Sequence, residues 1–295
     1  VPQSSSRTPD AVAPDLLLLS ARDADLRAVL GEIISSMPAA GLTNRVFRTE
    51  TSNGWFFVRV PGPSVVGTVD RIAEAHNMEL AAKIGLALPA VYCDPENGVL
   101  VTRAQEEEDL APTAFVEELG TKLAALHGSK LTFQGVLDPD RVLAAQIRSP
   151  GSIDDVTAKV PELSNVLRFV QRSIDPLNTD ILVPSHGDVS PGNCLSSSGS
   201  LLFIDWEFSA MAHPLWDIAY AALEMNFTPP QEQAFLTAYR NGTSLIASWT
   251  ERDLLFMKVR CDVISALWAL ENPRNLCDFA SRRCARALRH IDQLS

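Results

Sequence analysis

Long apolar runs are missing from this chain of 295 residues. No stretch approaches the ~18 consecutive apolar residues of a membrane span, so no transmembrane helix is expected. Basic residues are in deficit. Lys and Arg number 25 against 36 Asp and Glu, a formal charge of −11. That balance argues against a nucleic-acid binder or a binder of anionic membranes, which need a basic surface. It suits a small cationic ligand. Cysteine is sparse: Cys93, Cys194, Cys261, Cys277 and Cys284, an odd number with no C-x-x-C pair. Neither a disulfide framework nor a zinc ribbon is indicated, and the five read as reduced thiols of a cytoplasmic protein's core. The segment Val1 to Pro14 has one Arg and no apolar run, so it does not read as a secretory signal. Residues 1–19 are expected to form a disordered arm. There is no internal repeat and no low-complexity tract beyond that arm.

What is present is a chain 46% hydrophobic, enough for a sizeable core. Ser20-Ala21-Arg22-Asp23 reads as a helix start, with Leu26, Val29, Leu30, Ile33 and Ile34 following at helical spacing. Val46–Thr51 and Trp55–Val60 are β-rich runs around the turn Ser52-Asn53-Gly54. Thr68–Ile84 has helical periodicity. Val91–Asp94 and Val99–Arg103 flank the turn Pro95-Glu96-Asn97-Gly98 as a second hairpin. The acidic run Gln105 to Asp109 reads as a solvated connector. Helical patterns dominate beyond it, interrupted by a strand-rich stretch from Ile181 to Ile204. The organisation is therefore a small α+β unit over 20–104 and a mostly helical one over 105–295.

Two motifs lie in the strand-rich interruption. His186-Gly187-Asp188-Val189-Ser190-Pro191-Gly192-Asn193 has the form H-x-D-x-x-x-x-N, and Leu201-Leu202-Phe203-Ile204-Asp205-Trp206-Glu207 is an apolar strand ending in an acid. Phosphoryl transfer on a kinase-type scaffold needs this set. One Asp accepts the proton of the attacking hydroxyl, and an Asn and a second Asp hold Mg²⁺ on the phosphates. Asp188 sits in a tight loop after a short apolar run, where a carboxylate can be aimed at a substrate hydroxyl. Asn193 offers an amide oxygen and Asp205 a carboxylate to a hard cation. His186 is expected to brace the loop by hydrogen bonding. A zinc site from His186, Asp188, Asp205 and His213 lacks any supporting H-E-x-x-H or Cys pair. Cys194 with His186 lacks the signature of an activated thiol.

In the first unit, Gly41 precedes the first expected strand, in Ala40-Gly41-Leu42-Thr43-Asn44, where backbone N–H groups can approach phosphates. Arg59, inside an apolar strand, needs an anionic partner, for which a phosphate or Glu79 on the next helix would serve. On the acceptor side, Trp206, Glu207, Trp216, Asp217, Tyr220 and Glu224 cluster just after the apolar strand that ends at Asp205, with Trp268 and Glu271 further on. Aromatic faces with carboxylates suit an ammonium group. Trp216 and Tyr220, four apart, also fit a helix face packed on the core.

Gly41-Leu42-Thr43-Asn44, Val58-Arg59-Val60-Pro61-Gly62, His186-Gly187-Asp188 with Asn193, and Ile204-Asp205-Trp206-Glu207 together resemble the choline/ethanolamine kinase family. That family belongs with the aminoglycoside phosphotransferases in the protein kinase-like fold. The resemblance spans roughly residues 38–220. It implies a two-lobed α+β fold and an ATP- and Mg²⁺-dependent kinase acting on choline or ethanolamine. It implies Asp188 as the base, Asn193 and Asp205 as metal ligands, and Gly41, Thr43, Asn44, Arg59 paired with Glu79, and Thr102 around the nucleotide. Glu207, Trp216, Tyr220, Glu224 and Trp268 are the acceptor-side candidates, and Asp217 is a possible brace of the catalytic loop. An aminoglycoside, sugar or thiamine kinase of the same superfamily is the alternative. A silent nucleotide-binding relative is the third reading, and the presence of Asp188, Asn193 and Asp205 together argues against it.

Overall fold

The computed structural model describes residues 12–39, 44–60, 69–148, 157–173, 181–197, 199–243, 249–271 and 276–294. They fall into two compact units, one within Val1–Asp109 and Leu195–Glu207, the other within Leu110–Cys194 and Phe208–Ser295. The first unit thus regains a segment that lies far along the chain, which a single break near residue 104 does not anticipate. The physical link is local. The Phe203 N–H donates to the Leu86 carbonyl at 2.8 Å, and Phe203 bridges Ala87 in parallel.

The first unit opens with α1 (Pro14–Arg22), α2 (Ala24–Leu30) and β1 (Ile33–Ala39). This corrects the expected arm over residues 14–19, its first eleven residues lying outside the described ones, and the expected first helix. Pro14 stands at the first helical turn, where its missing N–H costs nothing, and Leu16 is buried. Ser20 lies inside α1. The N-cap is Asp23, whose carboxylate accepts the Leu26 N–H at 2.8 Å. Ile33 and Ile34 leave the helical run because Gly31 ends α2 at φ 71. A Cβ there would sit 2.2 Å from Ser52 Oγ. Beyond it, β1 pairs antiparallel with β2 (Arg45–Thr51).

β2 turns at Ser52-Asn53 into β3 (Gly54–Val60), as the hairpin signal predicts, with Thr51 opposite Gly54. α3 (Arg71–Lys83) follows, capped by Asp70, which accepts the N–H groups of Ile72 and Ala73. β4 (Ala90–Asp94) and β5 (Val99–Arg103) complete an antiparallel sheet in the order β1-β2-β3-β5-β4. Phe56, Val58, Val60 and Val101 join Leu16, Leu26 and Leu30 in one core beneath it.

The second unit is mostly helical: α4 (Pro112–Gly128), α5 (Pro139–Arg148), α6 (Glu162–Ser173), α7 (Leu215–Glu224), α8 (Pro229–Gly242), α9 (Glu251–Glu271) and α10 (Cys277–Leu294). These match the helical patterns of the sequence to within a few residues. A core of Leu163, Val166, Val263, Ala266, Ala280 and Cys284 joins α6, α9 and α10. Three short strands, β6 (Val136–Leu137), β10 (Ala210–Ala212) and β7 (Val183–Ser185), form a small sheet in that order. β8 (Cys194–Ser197) and β9 (Ser200–Phe203) form a separate hairpin. All five cysteines are free thiols, yet only Cys261 and Cys284 are buried and Cys93 is exposed. Among the described residues no helix is long and apolar enough to cross a membrane.

Candidate active site

In the second unit, β7 delivers the chain into the loop that carries Asp188. Ser185 and His186 are fully buried, and Gly187 adopts φ 87. The turn Pro191–Asn193 then returns the chain. There the Asn193 side-chain amide donates to the Asp188 carbonyl and to Asp188 Oδ2, both at 2.9 Å. The Asp188 N–H donates to His186 Nδ1 at 3.2 Å, the bracing role expected of His186. The Tyr220 hydroxyl bonds the Asp188 carboxylate. Burial raises the Asp188 pKa above its ordinary value, against the pull of His186 and the Tyr220 hydroxyl; Glu224 adds to the rise and Asn193 opposes it. A carboxylate fixed in this way and made more basic is what a general base requires.

A second layer holds the loop's backbone. Asp217 on α7 accepts the His186 N–H at 2.7 Å and the Gly187 N–H at 2.9 Å. Its Oδ2 lies 3.2 Å from His127 Nε2, and His127 Nδ1 lies 2.8 Å from the Tyr239 hydroxyl. Trp216 Nε1 donates to the Gly187 carbonyl at 2.9 Å. The sequence offers Asp217 as a possible brace; the contributions of His127 and Tyr239 went unseen, because they come from α4 and α8 with no motif to mark them.

In the first unit, the Arg59 guanidinium forms a fork with Glu74, not Glu79. The correction follows from helical phase. Glu74 shares the buried face of α3 with Asn77, Met78 and Ala81. Glu79 is exposed and pairs with Lys83 at 2.7 Å, one turn on. Burial works against the Arg59 charge, yet Glu74, Asp205 and Glu207 raise its pKa. Burial likewise opposes ionisation of Glu74, and Arg59 and Arg71 lower its pKa in return. Asp205 follows β9 at φ 63, a left-handed conformation that Asp tolerates better than most residues. Its Oδ1 lies 3.9 Å from Arg59 Nη1. Asn44 Nδ2 donates to Glu207 Oε2 at 2.8 Å. Thr102 lies on β5 opposite Phe57 of β3. Gly41 and Thr43 lie outside the described residues.

The acceptor-side candidates separate. Trp216 and Tyr220 stack at 5.9 Å, and Glu224 continues the same face of α7. Trp268 on α9 packs edge-on to Phe279 against the α6–α9–α10 core. The Glu224 carboxylate is engaged by Arg283 in a fork and lies 3.6 Å from Arg286. Glu207 belongs to the first unit, where Arg71 and Asn44 take its carboxylate.

Residues 37–255 match the sequence profile of APH, the phosphotransferase enzyme family. This chain belongs to that family. Protein LicA of Haemophilus influenzae is 26% identical to this phosphotransferase over 272 residues, 86% of this chain and 79% of that protein. Among solved structures, choline kinase LicA from Streptococcus pneumoniae superposes with a TM-score of 0.72 at 24% identity, over 94% of this chain and 99% of that one. A choline/ethanolamine kinase family protein from Mesorhizobium loti superposes with a TM-score of 0.69 at 25% identity, over 95% and 98%. The phosphotransferase therefore has the α+β kinase-like fold, with its antiparallel sheet N-terminal and its helices mostly C-terminal.

Among the described residues no group of three or more His, Cys, Asp and Glu side chains is arranged to hold a metal ion. Mg²⁺ does not require one, since it is commonly held by one or two side chains together with substrate phosphates. The donor chemistry fits. Asn193 spends its amide nitrogen on Asp188, and its amide oxygen is the atom that could face a cation. Asp205 supplies a partly exposed carboxylate.

The backbone at Gly187 makes a first expected result. Its positive φ disfavours any side chain, and a Cβ there would meet the Phe208 carbonyl oxygen at 2.3 Å. Gly187→Ala should therefore lower the free energy of unfolding by about 2 kcal/mol or more, within the range for a strained non-glycine residue plus a backbone clash. Urea denaturation of both proteins measures it, and an unchanged midpoint would show that the loop has room to relax.

Proposed function

We propose that this phosphotransferase moves the γ-phosphate of ATP, bound with Mg²⁺, to the hydroxyl of a small amino alcohol, choline or ethanolamine. The observation that carries the reading is the bracing of Asp188. Its carboxylate is held by Asn193 and Tyr220, and its loop backbone by Asp217 and Trp216. In this reading Asp188 accepts the hydroxyl proton as the oxygen attacks. Asn193 and Asp205 would hold the metal, and Arg59 would contact phosphate while Glu74 fixes its guanidinium. Mg²⁺, when bound, would offset the charge of the phosphates. The choice of amino alcohol rests on the likeness to the choline kinase and the choline/ethanolamine kinase family protein.

One observation favours a second reading, in which the acceptor is an uncharged sugar hydroxyl. Glu224, one helical turn past the Trp216–Tyr220 stack, is already matched by Arg283. A quaternary ammonium would compete with that guanidinium. An ATP-consumption assay over choline, ethanolamine, a sugar panel, aminoglycosides and thiamine decides between them. Turnover with choline or ethanolamine is the expected result. Turnover with sugars alone moves the assignment to the second reading, and MgATP binding without any turnover makes the protein a silent relative.

A further inference from the structure

The nucleotide-side cluster in the first unit contains a residue that the phosphotransfer roles leave unexplained. Arg71 opens α3, its side chain only 11% exposed, and its guanidinium reaches three segments. Nη2 donates to Asn44 Oδ1 at 2.7 Å, just before β2. Nη1 donates to Glu74 Oε2 at 2.7 Å within α3 and to Glu207 Oε2 at 3.2 Å, two residues past Asp205. Asn44 closes the ring by donating to the same Glu207 oxygen at 2.8 Å. Glu74 in turn holds Arg59.

We infer that Arg71 is a positioning residue for the nucleotide–metal ligand, one guanidinium that locks Asn44, the Arg59–Glu74 pair and the Asp205–Glu207 segment into a single arrangement. The inference rests on the kinase reading for its catalytic consequence, though not for its structural one. Three arguments support it. The first is reach: a planar guanidinium fork can serve partners in different directions at once, whereas a lysine ammonium on a flexible stem cannot hold the same geometry. The second is burial. The Glu74 and Glu207 side chains are 2% and 3% exposed, so these ion pairs are little screened by solvent. The third is charge. Arg59 and Arg71 face Glu74, Glu207 and Asp205, a net of 2 − 3 = −1, and Asp205 is the most exposed of the three carboxylates at 37%. The two buried glutamates match the two arginines, and Asp205 is the carboxylate presented toward solvent and a cation.

The assignment of Glu207 changes with it. Its carboxylate serves the ring, so it acts on Asp205 two residues away instead of on a substrate ammonium.

The test uses Arg71→Met paired with Glu207→Gln, which removes one positive and one negative charge together and avoids stranding a buried carboxylate, and Arg71→Lys alone. Backbone hydrogen exchange in the nucleotide-free protein should quicken in segments 44–51 and 200–207 of the double variant, with the sheet β3–β5 unchanged. KM for MgATP should rise by about tenfold or more, the usual scale for losing a partner that orients a ligand-binding group. KM for the acceptor should stay within about twofold. Arg71→Lys should fall between, and it carries the test if the double variant does not fold. Wild-type exchange together with wild-type KM for MgATP in these variants overturns the inference. If the wild type turns over no acceptor, the kinase reading fails by itself, and hydrogen exchange still decides on Arg71: faster exchange upholds the positioning role and unchanged exchange removes it.

Discussion

Asp188→Asn is expected to lower kcat by at least ~10²-fold while leaving the affinity for MgATP close to that of the wild type. A positioned general base typically contributes ~10²–10⁴-fold, because it takes the hydroxyl proton as the oxygen attacks. The amide keeps the volume of the carboxylate but cannot accept that proton. Its effect on the fold should be small. The backbone of the loop is held through atoms the substitution leaves in place: the Asp188 N–H on His186, the Asp188 carbonyl under Asn193, and the His186 and Gly187 N–H groups on Asp217. Nucleotide affinity is expected to persist because Arg59, proposed to contact phosphate, and Asp205, proposed to hold the metal, lie in the other compact unit. Steady-state kinetics and calorimetric MgATP titration on the same preparation separate the two quantities. A mutant with near-normal kcat would remove Asp188 from the base role. A mutant that loses both activity and nucleotide affinity would mean that its carboxylate contributes to nucleotide binding instead.

The parts of this site that could be read from sequence are those whose chemistry is local. His186, Asp188 and Asn193 lie within eight residues, so their spacing reflects the turn that brings Asn193 back to Asp188. The hairpin at Ser52-Asn53-Gly54 is equally local, and its register is the one the turn implies. The Arg59 partner was not local. Two acids on α3 compete for it, and composition cannot choose between them. Helical phase can: Glu74, Asn77 and Ala81 recur at three- and four-residue intervals on the face that is buried, while Glu79 has Lys83 four residues on. The N-terminal helix falls within the stretch expected to be a disordered arm, because its first residue is Pro14. Proline at a first helical position followed by Asp15 is a start signal, and the leucines after it have a core to enter. Arg71 carried no sequence signal as a hub, because its three partners are 3, 27 and 136 residues away.

The largest stability effect is expected at Asp217. Its carboxylate is fully buried and accepts two backbone N–H groups of the loop that carries Asp188, with His127 against the same oxygen that receives the His186 N–H. Asp217→Ala leaves those two donors without an acceptor inside the protein, and His127 without its carboxylate. Removing one partner of such a buried polar group costs about 3–5 kcal/mol. A large part of a typical domain's ~5–15 kcal/mol would be gone. Asp217→Asn keeps the shape and isolates the charge. Burial works against ionisation of Asp217, but His127, His186 and the Gly187 N–H together hold its pKa below the ordinary value. A carboxyl whose folded pKa is depressed contributes stability that is complete above the unfolded pKa, ~3.9, and is lost as the pH falls through the folded pKa. The gap in urea midpoint between wild type and Asp217→Asn should therefore be constant from pH 7 to about 5. It should then narrow below ~3.9 as the wild-type carboxylate takes up its proton. A gap that stays constant to pH 3, or no gap at pH 7, would show that shape at this position matters and charge does not. The catalytic consequence follows from the same bonds: an Asn keeps one acceptor oxygen and turns an NH2 donor toward the other of the His186 and Gly187 N–H groups, so the loop loosens its hold on the orientation of Asp188, and kcat should fall in Asp217→Asn even at temperatures where the variant is fully folded.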